Sequence, residues 1–293
     1  MFPDRVAGII ETRVRQPGLV AEAAAARRRA PSVVGPEGRL VIVAADHPAR
    51  GSLAAGRERL AMAGRADLLE RLCVALDRPG VDGVLGTADI IEDLLLLGAL
   101  DDKVVIGSMN RGGLAGTSFE MDDRFTGYDA DTIARMGFDG GKMLFRIDPD
   151  DPATVVTMEA CARAVSGLAS HGLMAMIEPF ISHRVDGRVR NDLSPQAVIR
   201  SITVAAGLGT TSAYTWLKLP VVEDMERVLA ASTLPVLLLG GEVSADQDAA
   251  FERWRKALQI PSVHGLVIGR SLLFPPDDDV ASAVDTVLSM VRG

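Results

Sequence analysis

The chain is 293 residues long and carries 31 basic side chains, of which only Lys103, Lys142, Lys218 and Lys256 are lysines, leaving 27 arginines. A guanidinium stays charged at physiological pH, whereas an ammonium can shed its proton and act as a nucleophile. A composition that leans this far toward arginine singles out the positions where arginine is not used. Lys218 ends a short apolar run, Thr-Trp-Leu-Lys-Leu-Pro, and Lys142 lies inside Gly-Gly-Lys-Met-Leu-Phe-Arg-Ile, otherwise a run of core type. A lysine in such a run needs a partner. Glu178, in Met-Ala-Met-Ile-Glu-Pro-Phe, and Asp46, in Val-Ile-Val-Ala-Ala-Asp-His-Pro, offer carboxylates.

Two lysines and two carboxylates are the set that an amine-catalysed aldol cleavage uses. One amine condenses with a ketone, the iminium accepts the electrons of the broken carbon–carbon bond, and carboxylates carry the protons. An ordinary lysine, with a pKa of about 10.4, is neutral in only about one molecule in a few thousand at pH 7. Burial and a neighbouring cation both lower that pKa. Lys218 reads as the amine that attacks and Lys142 as the neighbouring cation. Taken singly, each also reads as a strand-end lysine reaching water or a member of a structural ion cluster. The set is what carries the chemistry.

Positioning these groups requires a scaffold with many strand ends on one face. From residue 38 onward, eight short apolar runs recur: 40–46, 83–86, 103–109, 142–147, 173–178, 215–218, 235–240 and 265–269. Helical periodicity fills the intervals, over 57–76, 90–100, 152–171, 194–207, 222–231, 245–258 and 279–291. Ser194-Pro195 suits a helix start and Gly172 a helix end. Residues 111–129 are Gly-rich and polar, a long loop before a short helix. Residues 1–37 form an Ala/Arg-rich helical extension broken at Pro17. This repeat of strand and helix predicts an α/β protein, a (β/α)8 TIM barrel over 38–293 with an N-terminal helical extension over 1–37. An open doubly wound sheet would need a Gly-rich turn after its first strand, where this chain has Asp46-His47-Pro48.

In such a barrel, function sits at the carboxyl ends of the strands. Those ends carry Asp46, Gly86, Asn110 with Arg111, Lys142 with Arg146, Glu178, Lys218, Gly240-Gly241 and Gly269-Arg270. The last two strand ends offer backbone N–H groups and a guanidinium, the equipment of a phosphate site. His47, Arg111 and Arg146 are further candidates for contact with substrate, and His183 with Arg184 is expected in a loop after the fifth strand, as a candidate contact for a substrate anion. No His/Asp/Glu set has the spacing of metal ligands, which points to chemistry without a metal or other cofactor.

The net charge of −8 disfavours nucleic acid and anionic membranes as partners. No apolar run approaches the roughly 18 residues of a membrane span, and no cationic-then-apolar leader opens the chain. Cys73 and Cys161 are too few for a disulfide framework. A soluble cytoplasmic enzyme is expected, and the N-terminal extension offers surface for a homo-oligomer.

The order Asp46, Lys142, Glu178, Lys218, Gly269-Arg270 resembles the class I aldolases of the DeoC/LacD superfamily, especially the tagatose-bisphosphate and sulfofructose-phosphate aldolase branch. Lys-Met-Leu-Phe-Arg-Ile-Asp-Pro-Asp-Asp is similar to that branch's fourth-strand motif and Gly-Leu-Val-Ile-Gly-Arg-Ser to its eighth. The chain also resembles an actinobacterial aldolase-like barrel family associated with inositol breakdown genes. These resemblances imply reversible cleavage of a phosphorylated keto sugar or keto acid through a Schiff base at Lys218, for the second family a deoxy-keto-gluconate phosphate. Acyl or aldehyde transfer by the same Schiff base, and a non-catalytic sugar-phosphate-binding barrel, are the competing readings. Asp-His-Pro at the first strand end and Asn110-Arg111-Gly112-Gly113 after the third depart from the superfamily pattern.

Overall fold

The computed structural model describes residues 2–35, 37–241 and 247–293. Eight parallel strands close on themselves: β1 (Leu40–Ala44), β2 (Gly83–Gly86), β3 (Val104–Ser108), β4 (Gly140–Ile147), β5 (Met174–Val185), β7 (Thr215–Leu219), β8 (Val236–Leu239) and β9 (Val263–Ile268). The β9–β1 pairing shuts the ring at Leu40 and Gly265, and β4 and β5 share the longest ladder, Gly140–Ile147 against Met174–Ile181. The chain is a closed (β/α)8 barrel, as the spacing of the apolar runs predicts. Among the described residues no helix is long and apolar enough to cross a membrane.

Helices α3 (Arg65–Asp77), α4 (Ala88–Leu96), α5 (Ala130–Arg135), α6 (Ala153–Ser170), α7 (Pro195–Ala206), α8 (Met225–Leu229), α9 (Gln247–Ala257) and α11 (Val280–Arg292) form the outer layer, with the short α10 (Arg270–Leu273) directly after β9. The Ser194 hydroxyl caps α7 by accepting from the Ala197 N–H, with Pro195 in the first turn, and Gly172 follows α6 at φ +67°. The helix expected from residue 57 starts only at Arg65, because 57–64 turns repeatedly. The expected start of the seventh unit's helix, 245–246, lies outside the described residues.

Strand parity divides the molecule. Successive strand residues point to opposite faces, so Met143, Phe145 and Ile147 pack outward under the helices while Lys142, Leu144 and Arg146 face the barrel interior. The lower interior is a separate apolar cluster of Leu40, Ile42, Leu85, Val104, Ile106, Met174, Met176, Leu237 and Val267. Ala30, Val33 and Val34 of the N-terminal extension, with Trp216, pack against this cluster and cover the floor. The extension is held there by Arg27, buried at 7% exposure, which donates to the carbonyls of Lys103 (2.7 Å) and Gly137 (2.8 Å). Its helices, α1 (Phe2–Arg15) and α2 (Leu19–Ala26), lie against the α3/α4 side of the barrel.

One element departs from the expected repeat. β5 runs on past Glu178 to Val185, turns at Asp186-Gly187 with both residues at positive φ, and returns as the antiparallel β6 (Arg188–Asp192). His183 and Arg184, expected in a loop, are strand residues of this hairpin. Arg184 braces it by donating to the Ser118 carbonyl (2.7 Å) and pairing with Asp151 (3.2 Å).

Candidate active site

The alternation that makes the floor apolar carries charge at the mouth. Lys142 follows the interior parity of β4, Glu178 that of Met174 and Met176 on β5, and Lys218 that of Trp216 on β7. β4, β5 and β7 are neighbours in the barrel, so three consecutive interior positions are cation, carboxylate, cation. Glu178 bridges them. Its Oε2 lies 2.5 Å from Lys142 Nζ and its Oε1 2.9 Å from Lys218 Nζ. Asp46, two residues past the end of β1, accepts from Lys142 Nζ at 3.2 Å and from Arg111 Nη1 at 2.9 Å on the same oxygen, Oδ2. Ser108 Oγ also donates to Oδ2, at 3.1 Å. The result is one chain of alternating charge: Arg111, Asp46, Lys142, Glu178, Lys218.

Both lysines are buried in the cavity wall, Lys142 at 3% and Lys218 at 4% exposure, whereas Lys103 is half-buried and Lys256 lies on the surface. Burial is the largest influence on Lys142 and lowers its pKa; Asp46 and Glu178 oppose it, and Lys218 and Arg111 add to it. For Glu178 burial favours the neutral acid, yet Lys142 and Lys218 outweigh it and hold the carboxyl at about 2. Asp46 is likewise held well below the carboxylate range, its cations overcoming burial. Three cations against two carboxylates leave the chain of five with a formal charge of +1.

A cavity of about 670 Å³ opens over this chain. Its lining holds eight Arg and Lys residues against two carboxylates, Asp46 and Glu178, in a protein whose net charge is −8. Two of the eight are committed to carboxylates of the loop after β3: Arg50 to Asp123 at 2.6 Å and Arg146 to Glu120 at 3.0 Å. Arg190, Arg253 and Arg270 have no ion-pair partner among the described residues. Arg270 Nε and Ser271 Oγ are buried without a hydrogen-bond partner, beside Gly269 in the position expected of an anion site.

Gly240, Gly241 and Gly269 line the same side of the cavity. Gly269 also has a steric reason to be glycine, since a Cβ there would stand 2.4 Å from the Ala44 carbonyl and 3.0 Å from His47 Cε1. His47 lies in the wall with Nδ1 3.9 Å from Asp46 and without a hydrogen bond. Burial, reinforced by Arg270, Lys218 and Lys142, lowers its pKa to about 3 despite the attraction of Asp46. The ring is neutral at physiological pH.

Over residues 38–288 the sequence matches the Cgl0159-like family. The chain belongs to that family. The crystal structure of Cgl0159 from Corynebacterium glutamicum (Brevibacterium flavum) is 54% identical, with 99% of this chain and 97% of that one covered at a TM-score of 0.96. No curated protein matches the chain by sequence. More distant solved structures share the barrel. An archaeal fructose-1,6-bisphosphate aldolase with its catalytic Lys covalently bound to the carbinolamine intermediate is 18% identical at a TM-score of 0.65, over 89% of this chain and 97% of that one. The fructose-bisphosphate aldolase from Slackia heliotrinireducens is 15% identical at a TM-score of 0.64, over 87% and 81%. At these identities the likeness is one of fold.

In this Cgl0159-like barrel Asp46, His47, Arg111, Lys142, Arg146, Glu178, Lys218, Gly240, Gly241, Gly269 and Arg270 line the cavity, whereas Gly86, Asn110, His183 and Arg184, also named from the sequence, are not among its lining residues. Arg111 and Arg146 line it with their guanidinium groups already engaged by Asp46 and Glu120. Sequence reading missed Ser108, Arg50, Arg190 and Arg253. Ser108 ends β3 and meets Asp46 across the barrel interior, and Arg50 becomes visible only when the loop after β3 folds back onto it. Arg190 was within reach, because Asp-Gly between two alternating segments is a hairpin signal.

Proposed function

We propose that the protein is a class I aldolase that cleaves a phosphorylated keto sugar or keto acid through a Schiff base on Lys218. The observation that carries the reading is the bridge Lys142–Glu178–Lys218 at the carboxyl end of the barrel, with both amines buried. In this scheme the neutral Lys218 amine adds to the substrate carbonyl carbon. The carbonyl oxygen is protonated twice and leaves as water, giving an iminium. The hydroxyl β to it then loses its proton, the carbon–carbon bond breaks, and its electron pair flows to nitrogen as an enamine while an aldehyde departs. Protonation of the enamine carbon and addition of water release the second product and restore Lys218.

Glu178 is placed to ferry protons at nitrogen and at the departing oxygen, 2.9 Å from Nζ. In the carbinolamine Lys218 carries no charge, so one of the two cations that hold Glu178 acidic is gone and the carboxylate becomes a better base. Asp46 and Lys142 serve the substrate hydroxyls on the β1/β4 side. The cationic lining, and Arg270, without an ion-pair partner among the described residues and beside Gly240, Gly241 and Gly269, support a phosphorylated substrate. A deoxy-keto-gluconate phosphate and the keto-sugar bisphosphates are the first candidates.

Borohydride added with substrate is expected to leave a covalent mass on Lys218, and Lys218→Arg to lose it while remaining folded. Trapping on another residue, or none across a panel of keto-sugar and keto-acid phosphates, overturns the proposal. Turnover that depends on coenzyme A as acceptor would assign the same Schiff base to a transferase.

A further inference from the structure

Arg111 has the residue type of a substrate anchor and the surroundings of something else. Its exposure is 7% and its guanidinium is spent on Asp46: Nη1 on Oδ2 at 2.9 Å, Nη2 on the backbone carbonyl. The residues beside it tie the same loop to the barrel. Asn110 clamps the Leu144 peptide from both sides, accepting from its N–H at 2.8 Å and donating to its carbonyl. Arg50 donates to the Gly113 and Asn110 carbonyls. Gly112 and Gly113 press against Arg124 and Glu120, leaving no room for a Cβ. The motif Asn110-Arg111-Gly112-Gly113 therefore seats one guanidinium on one carboxylate with little freedom.

The geometry points to Arg111 as a positioning residue: it anchors Asp46, so that Lys142 is shared with Glu178 instead of being drawn wholly to Asp46. The inference takes its catalytic meaning from the aldolase proposal. The groups around Lys142 are Asp46 and His47 after β1, Arg111 after β3, Glu178 on β5 and Lys218 on β7, with Arg50, Asp123 and Arg270 behind them. Without Arg111, Asp46 retains Lys142 and Ser108 as partners, and Lys142 has lost a repelling cation. It should hold its proton to higher pH and sit closer to Asp46.

Competitive labelling of amines with trace acetic anhydride, read by mass spectrometry across pH, tests this without turnover. In Arg111→Gln, half-labelling of Lys142 is expected about one pH unit higher, the order set by one charge removed from a buried cluster. Arg111→Lys should largely restore it. In an Asp46→Asn background the same Arg111→Gln change should shift Lys142 less, because the share of the effect that runs through Asp46 is gone and only the direct repulsion between Arg111 and Lys142 remains. Equal shifts in both backgrounds, or no shift in either, overturn the inference. If Arg111→Gln alone fails to fold, the Asp46→Asn and double variants decide, since Asp46 is absent from both: a one-unit shift between them overturns it and a small one supports it. Where turnover is measurable, kcat should fall with KM little changed, and a loss confined to KM would make Arg111 a substrate contact. Absence of a Schiff base at Lys218 would remove the aldolase proposal and leave the labelling result standing.

Discussion

The floor and the mouth of this barrel are built from the same strands and the same inward-facing parity, yet one is an apolar plug and the other an ion chain. On β5, Met174 and Met176 lie in the floor cluster while Glu178, two residues on, bridges two lysines. On β1, Leu40 and Ile42 are floor, and Asp46, two residues past its end, is mouth. The floor also has a lid of its own in residues 30–34, whereas the mouth opens to a cavity of about 670 Å³. An apolar plug and an ion chain thus occupy opposite ends of the same elements, the ends to which this fold generally gives stability and chemistry. At the floor, a substitution loses contacts. At the mouth, it leaves a buried charge without its partner, which costs more per atom and acts on a proton equilibrium as well.

The contrast breaks most sharply at Lys218. Lys218→Arg is expected to lower turnover at least about a thousandfold and abolish borohydride trapping, with the melting temperature nearly unchanged. Glu178→Gln should cost about a hundredfold or more in turnover, since both lysines lose their shared carboxylate and the proton carrier goes with it. It should also lower stability by about 3 kcal/mol, measurable by urea unfolding. Met176→Ala is the matched floor change. A loss of about 2–5 kcal/mol in the same unfolding assay, with trapping at Lys218 intact in the folded fraction, would confirm that the floor serves stability alone.

Acid separates the two ends without mutation. Glu178 has a folded pKa near 2 against an ordinary value of 4.5, so its contribution to stability is complete above pH 4.5 and is lost as pH falls toward 2. His47 has a folded pKa near 3 against 6.5, so the unfolded chain takes up its proton first and stability declines as pH falls from 6.5. The decline between pH 6.5 and 4.5 should flatten in His47→Gln, as followed by denaturant midpoints at pH 7, 5.5 and 4.5. An unchanged slope in that window would show that His47 does not carry it. The smallest effect is expected at the hairpin. Arg190→Gln should raise KM for a phosphorylated substrate several-fold and leave kcat in place, because the residue lines the outer cavity without touching the ion chain.

The barrel was legible because its signal is local: an apolar run followed by a helical period, eight times over. The charged groups at the mouth were legible for a related reason. A charge at the end of an otherwise apolar strand has few places to go other than the mouth, and the scarcity of lysine marked Lys142 and Lys218 among 31 basic residues. The partners of the arginines were not legible. Arg146 is claimed by Glu120 and Arg50 by Asp123, and both carboxylates come from a loop whose path no periodicity describes. Nor was the use of the N-terminal extension. Arg27 finds the carbonyls of Lys103 and Gly137 across 76 and 110 residues of chain.

The sequence alone determined that this chain is a (β/α)8 barrel and that Asp46, Lys142, Glu178 and Lys218 belong to four of its strand units, because strand period and strand order convert directly into side within a closed barrel. Lys142 and Glu178, expected at strand ends, lie inside the longer β4 (Gly140–Ile147) and β5 (Met174–Val185). Only the tertiary structure decided which charges meet which. That a single carboxylate bridges both lysines, that Arg111 is bound to Asp46, and that a hairpin brings Arg190 to the cavity follow from strand neighbours and loop paths. Those are set by long-range packing, which residue spacing along the chain does not encode.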